Sequence, residues 1–377
     1  MNILYFFTFG YSLETWKNSG QLQRELKHFD KLYEKNNDIK FVLFTYGGID
    51  DASLVERSYI KVIPIYSFLK ESDNNFINFI KTLFISLKIN KLNLQNPDII
   101  IQNQLLGSWV ASAFKRYFKI PLIIRTGYDM YEFSINDKKS FIKRFFLKTL
   151  TMLSLNIADI YTVTSNSDKK FLIQNFNNKY LEKLKIRPNW IEVDESIKAS
   201  GINSRDPQKL FSVGRLEKQK NYSLMIESLK ETNFELDIYG VGSLKDELIS
   251  LAKRLNVKVN FLGVIENKEL INKMKNYKYY ISTSCFEGNP KSVLEAMAAG
   301  CLVLASDIKN HTEFLDSNNS ILFNVDDNSL KDKLTSLGNE EFKIINLVES
   351  SLNTVKVFYE LDNLAKKEIE DINYLIS

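Results

Sequence analysis

The sequence of 377 residues is short of the side chains that build metal centres and cross-links, with two cysteines and two histidines. A multi-histidine metal centre is thereby excluded. Cys285 and Cys301 sit in apolar runs that read as strands, which suits reduced, buried thiols better than a disulfide or a metal pair. No apolar run reaches the roughly 20 residues that a membrane-spanning helix needs. Residues 1–10 lack a basic n-region and a small-residue cleavage site, so they read as a first strand rather than a signal peptide, and a cytoplasmic location is expected. No nucleic-acid-binding module or aromatic platform is visible, so nucleic acid is not an expected partner.

What is present suits a folded chain with room for two cores: 44% of residues are hydrophobic and 25% charged. The net charge of +4 hides an imbalance. Residues 1–190 carry 27 Lys/Arg against 17 Asp/Glu, a balance of +10, and the remainder carries 23 against 29, a balance of −6. Such halves point to different partners. Strands are expected at 3–9, 41–46, 62–66, 98–102, 122–125, 160–164 and 184–188. Between them come a loop ending at Ser19-Gly20 that opens a helix to Leu32, and helices at 75–92, 107–117, 139–156 and 167–174. A polar stretch from Asn189 to Pro207 reads as a linker. The alternation then resumes, with strands at 210–213, 235–239, 259–261, 279–282, 302–305 and 321–323. Helices are expected at 223–231, 244–255, 268–275 and near 328–338, followed by a helical tail. Strands alternating with helices predict an α/β chain of two parallel, doubly covered sheets, with the ligand site in the crevice between domains.

The most informative stretch is Ser284-Cys285-Phe286-Glu287-Gly288-Asn289-Pro290-Lys291-Ser292-Val293-Leu294-Glu295-Ala296-Met297-Ala298-Ala299-Gly300-Cys301. Asn289 is expected as the N-cap and Pro290 at the first helical position, with Gly300 closing the helix. The free amides of Lys291 and Ser292 then open a helix N-terminus, which attracts phosphate. Glu287 lies just before it and Glu295 about one and a half turns into it. Carboxylates accept from sugar hydroxyls, so two acids around a phosphate-binding amide pair suit a nucleotide sugar.

A second motif, Phe211-Ser212-Val213-Gly214-Arg215-Leu216-Glu217-Lys218-Gln219-Lys220-Asn221, follows the first strand of the second half. Gly214 lets backbone approach closely, and Arg215 and Lys220 offer a fork and a point charge to a diphosphate. No Asp-x-Asp occurs, so there is no obvious seat for a bridging metal, and a metal-independent reaction is expected. Gly240-Val241-Gly242 also follows a strand, but the third glycine of a dinucleotide fingerprint is replaced by Lys245, which argues against an NAD-dependent enzyme.

With Glu287 and Glu295 bracketing Gly-Asn-Pro-Lys-Ser, and Ala-Met-Ala-Ala-Gly after, the chain resembles the family-four retaining glycosyltransferases of GT-B fold, the glycosyl transferases group 1. The resemblance is strong over about 205–325 and loose over 1–190. It implies two Rossmann-like doubly wound domains, 1–190 for the acceptor and 205–355 for the nucleotide sugar, with 356–377 a helix returning to the first. It implies that Arg215 and Lys220 stabilise the departing nucleotide diphosphate, that Glu287 stands near the anomeric carbon, and that Glu295 holds the ribose. Gly214, Gly240, Gly242, Val264, Ile265, Asn289, Pro290, Lys291 and Ser292 would line the donor pocket. The co-substrate would be a UDP- or GDP-linked sugar with no further cofactor, and the setting cell-surface polysaccharide assembly.

The acceptor half is less legible. Relatives carry a histidine where this chain has Ile123-Ile124-Arg125-Thr126-Gly127-Tyr128-Asp129. Arg125, Tyr128 and Asp129 are acceptor-side candidates, although Tyr128 and Asp129 equally suit a simple turn. Ser19, Gly20 and Asn166 match loosely. His28 and His311 read as structural or exposed. Lys138, Lys139, Lys143, Arg144 and Lys148 interleave with Phe141, Phe145, Phe146 and Leu150. The 138–150 segment therefore reads either as a sheet-covering helix with a solvated basic face or as a helix touching the anionic inner face of a membrane, which would favour a lipid-linked acceptor. A nucleotide-sugar epimerase and a non-catalytic sugar-nucleotide-binding subunit are the rival functions.

Overall fold

Isoleucine, tyrosine and phenylalanine crowd the expected strands, and such side chains suit a parallel sheet covered on both faces. A computed structural model of the protein describes residues 1–92, 94, 96–326, 329–337 and 341–377, the side chains of 86, 87, 91, 341 and 342 apart. The chain divides into two compact units, Met1–Pro188 with Leu364–Ser377, and Asn189–Asn363.

The first unit contains β1 (Asn2–Phe6), α1 (Leu13–Asn18), α2 (Leu22–Lys35), β2 (Lys40–Thr45), β3 (Ile60–Pro64), α3 (Asn75–Leu83), β4 (Ile99–Asn103), α4 (Ser108–Phe118), β5 (Leu122–Arg125), α5 (Met130–Asn136), α6 (Phe141–Ile157), β6 (Ile160–Val163), α7 (Asn166–Asn175) and β7 (Leu184–Ile186). Its sheet runs β3-β2-β1-β4-β5-β6-β7 with every pairing parallel. Three local features depart from expectation. A capping box between Ser12 and Thr15 nucleates α1, so Ser19 and Gly20 close one helix instead of opening the next. The expected helix over 75–92 is α3 followed by a tighter 3₁₀ segment, Ile85–Leu92. Asp129 accepts from the Glu132 amide (2.7 Å) and starts the unexpected helix α5.

The second unit contains β8 (Asp206–Val213), α8 (Tyr222–Glu227), β9 (Glu235–Tyr239), α9 (Lys245–Leu255), β10 (Lys258–Gly263), α10 (Asn267–Met274), β11 (Tyr277–Ser282), α11 (Lys291–Ala298), β12 (Leu302–Ser306), β13 (Ile321–Phe323), α12 (Ser329–Ser336) and α13 (Glu341–Phe358), with α14 (Leu361–Ile376) after it. Its sheet, β10-β9-β8-β11-β12-β13, is again wholly parallel. β8 begins within the polar stretch expected as linker. Asn328 and Gly338, the expected ends of the helix after β13, lie outside the described residues. Both sheets have the doubly wound order, in which the chain reverses direction beside the first strand.

Most of α14 belongs to the first unit. Glu368 receives the His28 ring nitrogen (2.8 Å) and Arg125 Nη1 (3.3 Å). Asp371 receives Lys185 (2.8 Å) and Arg187 (2.6 Å). Burial pushes the Glu368 carboxyl up, but Arg125 and His28 outweigh it and hold the group down at about 2. His28 is therefore a buried structural residue. Among the described residues no helix is long and apolar enough to cross a membrane.

Candidate active site at the switch point of the second sheet

β8 and β11 are neighbours, and the elements that follow them lead to opposite edges of the sheet. Loops leaving their carboxyl ends therefore part, and that gap is where doubly wound sheets bind ligands. The loops are residues 214–221 and 283–290, the two motifs of the sequence. They are tied together by backbone and hydroxyl groups. Thr283 Oγ1 donates to the carbonyls of Lys220 (2.8 Å) and Asn221 (2.9 Å), and the Cys285 amide donates to the Gln219 carbonyl (2.8 Å). Gln219 Nε2 returns to the Phe286 carbonyl (2.8 Å) and reaches Glu287 Oε2 (3.4 Å).

Within this frame Lys220 Nζ meets Glu287 Oε1 at 2.5 Å, and Ser284 Oγ donates to the same oxygen at 2.6 Å. Both side chains are largely buried, with 16% and 8% exposed. Burial pushes the Glu287 carboxyl up, yet the Lys220 charge and the hydrogen bonds from Lys220 and Ser284 outweigh it, so the group lies below its ordinary range and is ionised. Arg215 extends beside them on the exposed side, its Nη2 3.3 Å from Gln219 Oε1.

The helix start differs by one residue from expectation. Pro290 is the N-cap, with extended backbone, and Lys291 is the first helical residue. Asn289 does not cap; its Oδ1 accepts from the Asn189 amide (2.9 Å), and its carbonyl accepts from Asn189 Nδ2 (2.5 Å). The amides of Lys291 and Ser292 still open α11 beside Glu287, where the helix presents positive partial charge. Further along, Glu295 is buried and its Oε1 accepts from Asn267 Nδ2 (3.1 Å) on α10.

The loops after β9 and β10 wall the same end of the sheet. A Cβ on Gly240, at φ +147°, would fall 1.9 Å from the Gly214 carbonyl oxygen, and one on Gly242 would fall 2.4 Å from that of Leu216. Backbone lies on backbone there, so only glycine fits. The Leu216 amide donates to the Val241 carbonyl (3.0 Å), which completes the packing. Val241 and Val264 expose their side chains at the carboxyl ends, while Ile265 packs in part against the core.

Sequence reasoning missed several participants. Ser306 Oγ donates to the Ser284 carbonyl (2.6 Å), and the His311 Nδ1–H donates to the Ser306 carbonyl (2.8 Å). His311 is wholly buried rather than exposed, and desolvation lowers its pKa, so it is neutral and within electrostatic reach of Glu287 and Lys220. Its Nε2 and both amide atoms of the neighbouring Asn310 are buried without a partner. The only sequence signal for them was a histidine just past a strand end. Cys285 is also corrected: it lies exposed in the loop, whereas Cys301 is buried as expected.

In the first unit the candidates after β5 and β6 sit on adjoining loops, joined by Thr164 Oγ1 donating to the Gly127 carbonyl (3.2 Å), while Ser19 and Gly20 lie elsewhere, at the end of α1. Arg125 is engaged by Glu368. Asp129 caps α5, and burial pushes its carboxyl up to about 7. Tyr128 packs against the Phe133 ring. Ser19 Oγ donates to the Thr15 carbonyl (2.9 Å), Gly20 follows α1, and Asn166 is exposed at the start of α7. A separate cavity of about 440 Å³ in the second unit, between Ser317, Leu322, Lys333 and Leu347, contains none of the motif residues.

Two Rossmann-like units, the second with cations and acids at its switch point, are the architecture of the GT-B class. The crystal structure of Anabaena HepE in complex with UDP has the same fold, with TM-score 0.74 at 14% identity over 100% of both chains. Residues 193–350 match the family described as "Glycosyl transferases group 1". The N-acetylgalactosamine-N,N'-diacetylbacillosaminyl-diphospho-undecaprenol 4-alpha-N-acetylgalactosaminyltransferase of Campylobacter jejuni is 30% identical over 271 residues, 68% of this chain and 71% of that protein. A second Campylobacter jejuni enzyme, the GalNAc-alpha-(1->4)-GalNAc-alpha-(1->3)-diNAcBac-PP-undecaprenol alpha-1,4-N-acetyl-D-galactosaminyltransferase, is 24% identical over 94% of this chain and 91% of its own. The chain belongs to the glycosyl transferases group 1 family and is a glycosyltransferase.

Proposed function

We propose that the protein moves a sugar from a nucleoside-diphosphate sugar, UDP- or GDP-linked, to a lipid-linked or glycan acceptor, with retention of anomeric configuration and without a metal ion. The observation that carries this reading is the buried Lys220–Glu287 pair beside the start of α11. In the free protein Lys220 neutralises Glu287. A diphosphate entering between Lys220, Arg215 and the α11 amides offers Lys220 a second anion, and the sugar it carries meets Glu287. When the bond from the anomeric carbon to the phosphate oxygen breaks, charge grows on that oxygen, where fixed cations and amides stabilise it most. The acceptor hydroxyl forms the new bond on the same face, and its proton passes to the departing phosphate oxygen. The Glu287 carboxylate orients the sugar and offsets positive charge at the anomeric carbon. Glu295, held by Asn267, accepts from the ribose hydroxyls, and Gly240, Gly242, Val264 and Ile265 border the base. On the acceptor side Tyr128, Asp129, Asn166 and the turn at Ser19-Gly20 remain the candidates.

The names of the Campylobacter relatives, which specify diphospho-undecaprenol substrates, support a lipid-linked acceptor and, with it, polysaccharide building beside a membrane. A thermal-shift panel of nucleoside diphosphates and their sugars tests the donor, because a ligand that binds only the folded state raises the melting midpoint. One base is expected to stabilise the protein together with its sugar conjugates. Absence of any shift would remove the donor assignment. Complete loss of turnover in chelator would remove the metal-free step, and inverted product stereochemistry by NMR would remove retention.

A further inference from the structure

We infer that α3 and α6 together form a docking surface for an anionic phospholipid bilayer. Helix α3 is turned inside out. Its polar Asn78 and Thr82 face the protein, where Asn78 exchanges hydrogen bonds with the Ser72 backbone (2.9 and 2.7 Å) and Thr82 Oγ1 accepts from Trp109 Nε1 (3.0 Å). Its apolar stripe, Phe76, Ile77, Ile80, Leu83 and the adjoining Phe84, points outward, with Phe76 68% and Phe84 60% exposed. That spacing is one continuous helical face. A soluble helix normally buries such a face and exposes the other.

Helix α6 presents a second outward stripe. Leu147, Leu150 and Leu155 pack inward, while Phe141, Ile142 and Phe145 are 73%, 81% and 63% exposed, and Met152 and Leu153 continue the face. The two helices adjoin, because the Phe79 ring of α3 lies 6.3 Å from the Phe146 ring of α6. Single exposed apolar residues are ordinary. Eleven large ones on two adjoining helices are the mark of an interaction surface.

Charge selects the occupant. Residues 138–158 carry five Lys/Arg and no Asp or Glu, and Lys143 and Lys148 stand exposed beside the aromatic stripe. Glu71 and Asp73 stand exposed before α3, but an apolar stripe flanked by lysines along α6 complements acyl chains beneath anionic headgroups. A second copy of the chain is the poorer occupant, since a two-fold contact would set this basic segment against itself. The surface serves the lipid-linked acceptor reading, but its evidence is independent of the donor site, and so is its test.

Flotation of the full chain with phosphatidylcholine vesicles, with and without phosphatidylglycerol, decides the matter. Binding is expected only with phosphatidylglycerol and should fade as salt is raised. Phe141→Ser with Phe145→Ser, Lys143→Glu with Lys148→Glu, and Phe76→Ser with Phe84→Ser should each lower the bound fraction about tenfold or more. An unchanged melting midpoint and an unchanged shift with UDP or GDP, whichever stabilises the wild type, would show that each variant is folded with its donor site intact. Equal flotation with both vesicles, no flotation, or wild-type binding by the α3 variant overturns the inference. So does a concentration-dependent dimer that the Phe141/Phe145 variant abolishes. A failed donor screen with intact flotation would instead sink the donor reading alone.

Discussion

The two units share a strand order over six strands, the first adding a seventh at its edge, and their switch points are built from opposite materials. In the first unit the loops after β1 and β4 are joined by neutral groups. Thr8 Oγ1 donates to the Asn103 carbonyl (3.1 Å), the Phe9 amide to the Leu106 carbonyl (2.9 Å), and Gln102 Nε2 to the carbonyls of Phe7 and Leu106 (both 3.3 Å). In the second unit the equivalent loops hold Arg215, Lys220 and Glu287. Topology leaves a gap between loops at both, but charged side chains stand only in the second pair of loops. Buried acids of the first unit serve its own cohesion: Glu368 and Asp371 hold cations, and Asp129 caps a helix. A shared fold thus leaves chemistry to a handful of side chains.

The contrast is sharpest at Glu287. If the proposed roles hold, replacing it with Gln, or Lys220 with Ala, should cut transfer by about 10² to 10³ while the fold persists, because each would remove charge from beside the reacting bond. Steady-state turnover with a soluble acceptor, alongside circular dichroism, measures this; activity within a few-fold of wild type would refute the assigned roles. In the first unit the expected effect is on stability. Glu368→Ala leaves Arg125 and His28 without their carboxylate and should cost about 3–5 kcal/mol, read from chemical denaturation, while the nucleotide still binds. Loss of binding without loss of stability would reverse the contrast.

The smallest effect concerns pH. The Asp129 carboxyl, pushed up from an ordinary 3.8 to about 7 by burial, holds its proton more tightly folded than unfolded. Its contribution is complete below about pH 4, declines as pH rises, and levels off above about pH 7. Asp129→Asn keeps an acceptor for the Glu132 amide and removes the titration. The variant should therefore lose that slope and melt higher at alkaline pH, by about 2–4 °C for each kcal/mol recovered. An identical slope in both proteins would show that another group titrates.

Much of this could be read in the sequence, and the omissions have physical causes. Alternating strand and helix signals gave the doubly wound class, and the residues from Gly214 to Lys220 and from Glu287 to Glu295 stood close enough in sequence for their chemistry to show. Ser284, Ser306, Asn267 and His311 did not announce themselves, since their roles arise from contacts between loops far apart in the chain. Spacing revealed that residues 138–150 were amphipathic, but periodicity alone does not say which face turns inward. The same blindness hid the reversed face of α3. Cys285 read as a strand residue because the apolar run before it stops, unmarked, at Ser282.

The discontinuity of the first unit sets an order on biogenesis. Its sheet is synthesised before the second unit, but the acids that pair with Arg125, Lys185 and Arg187 emerge from the ribosome only after the whole of that unit. Until then Arg125 has only the more distant charge of Glu25 within the N-terminal part, and the salt bridges to Glu368 and Asp371 are unmade. The second unit can be finished earlier, so the first unit is completed only when a single helix far downstream of its strands has been made.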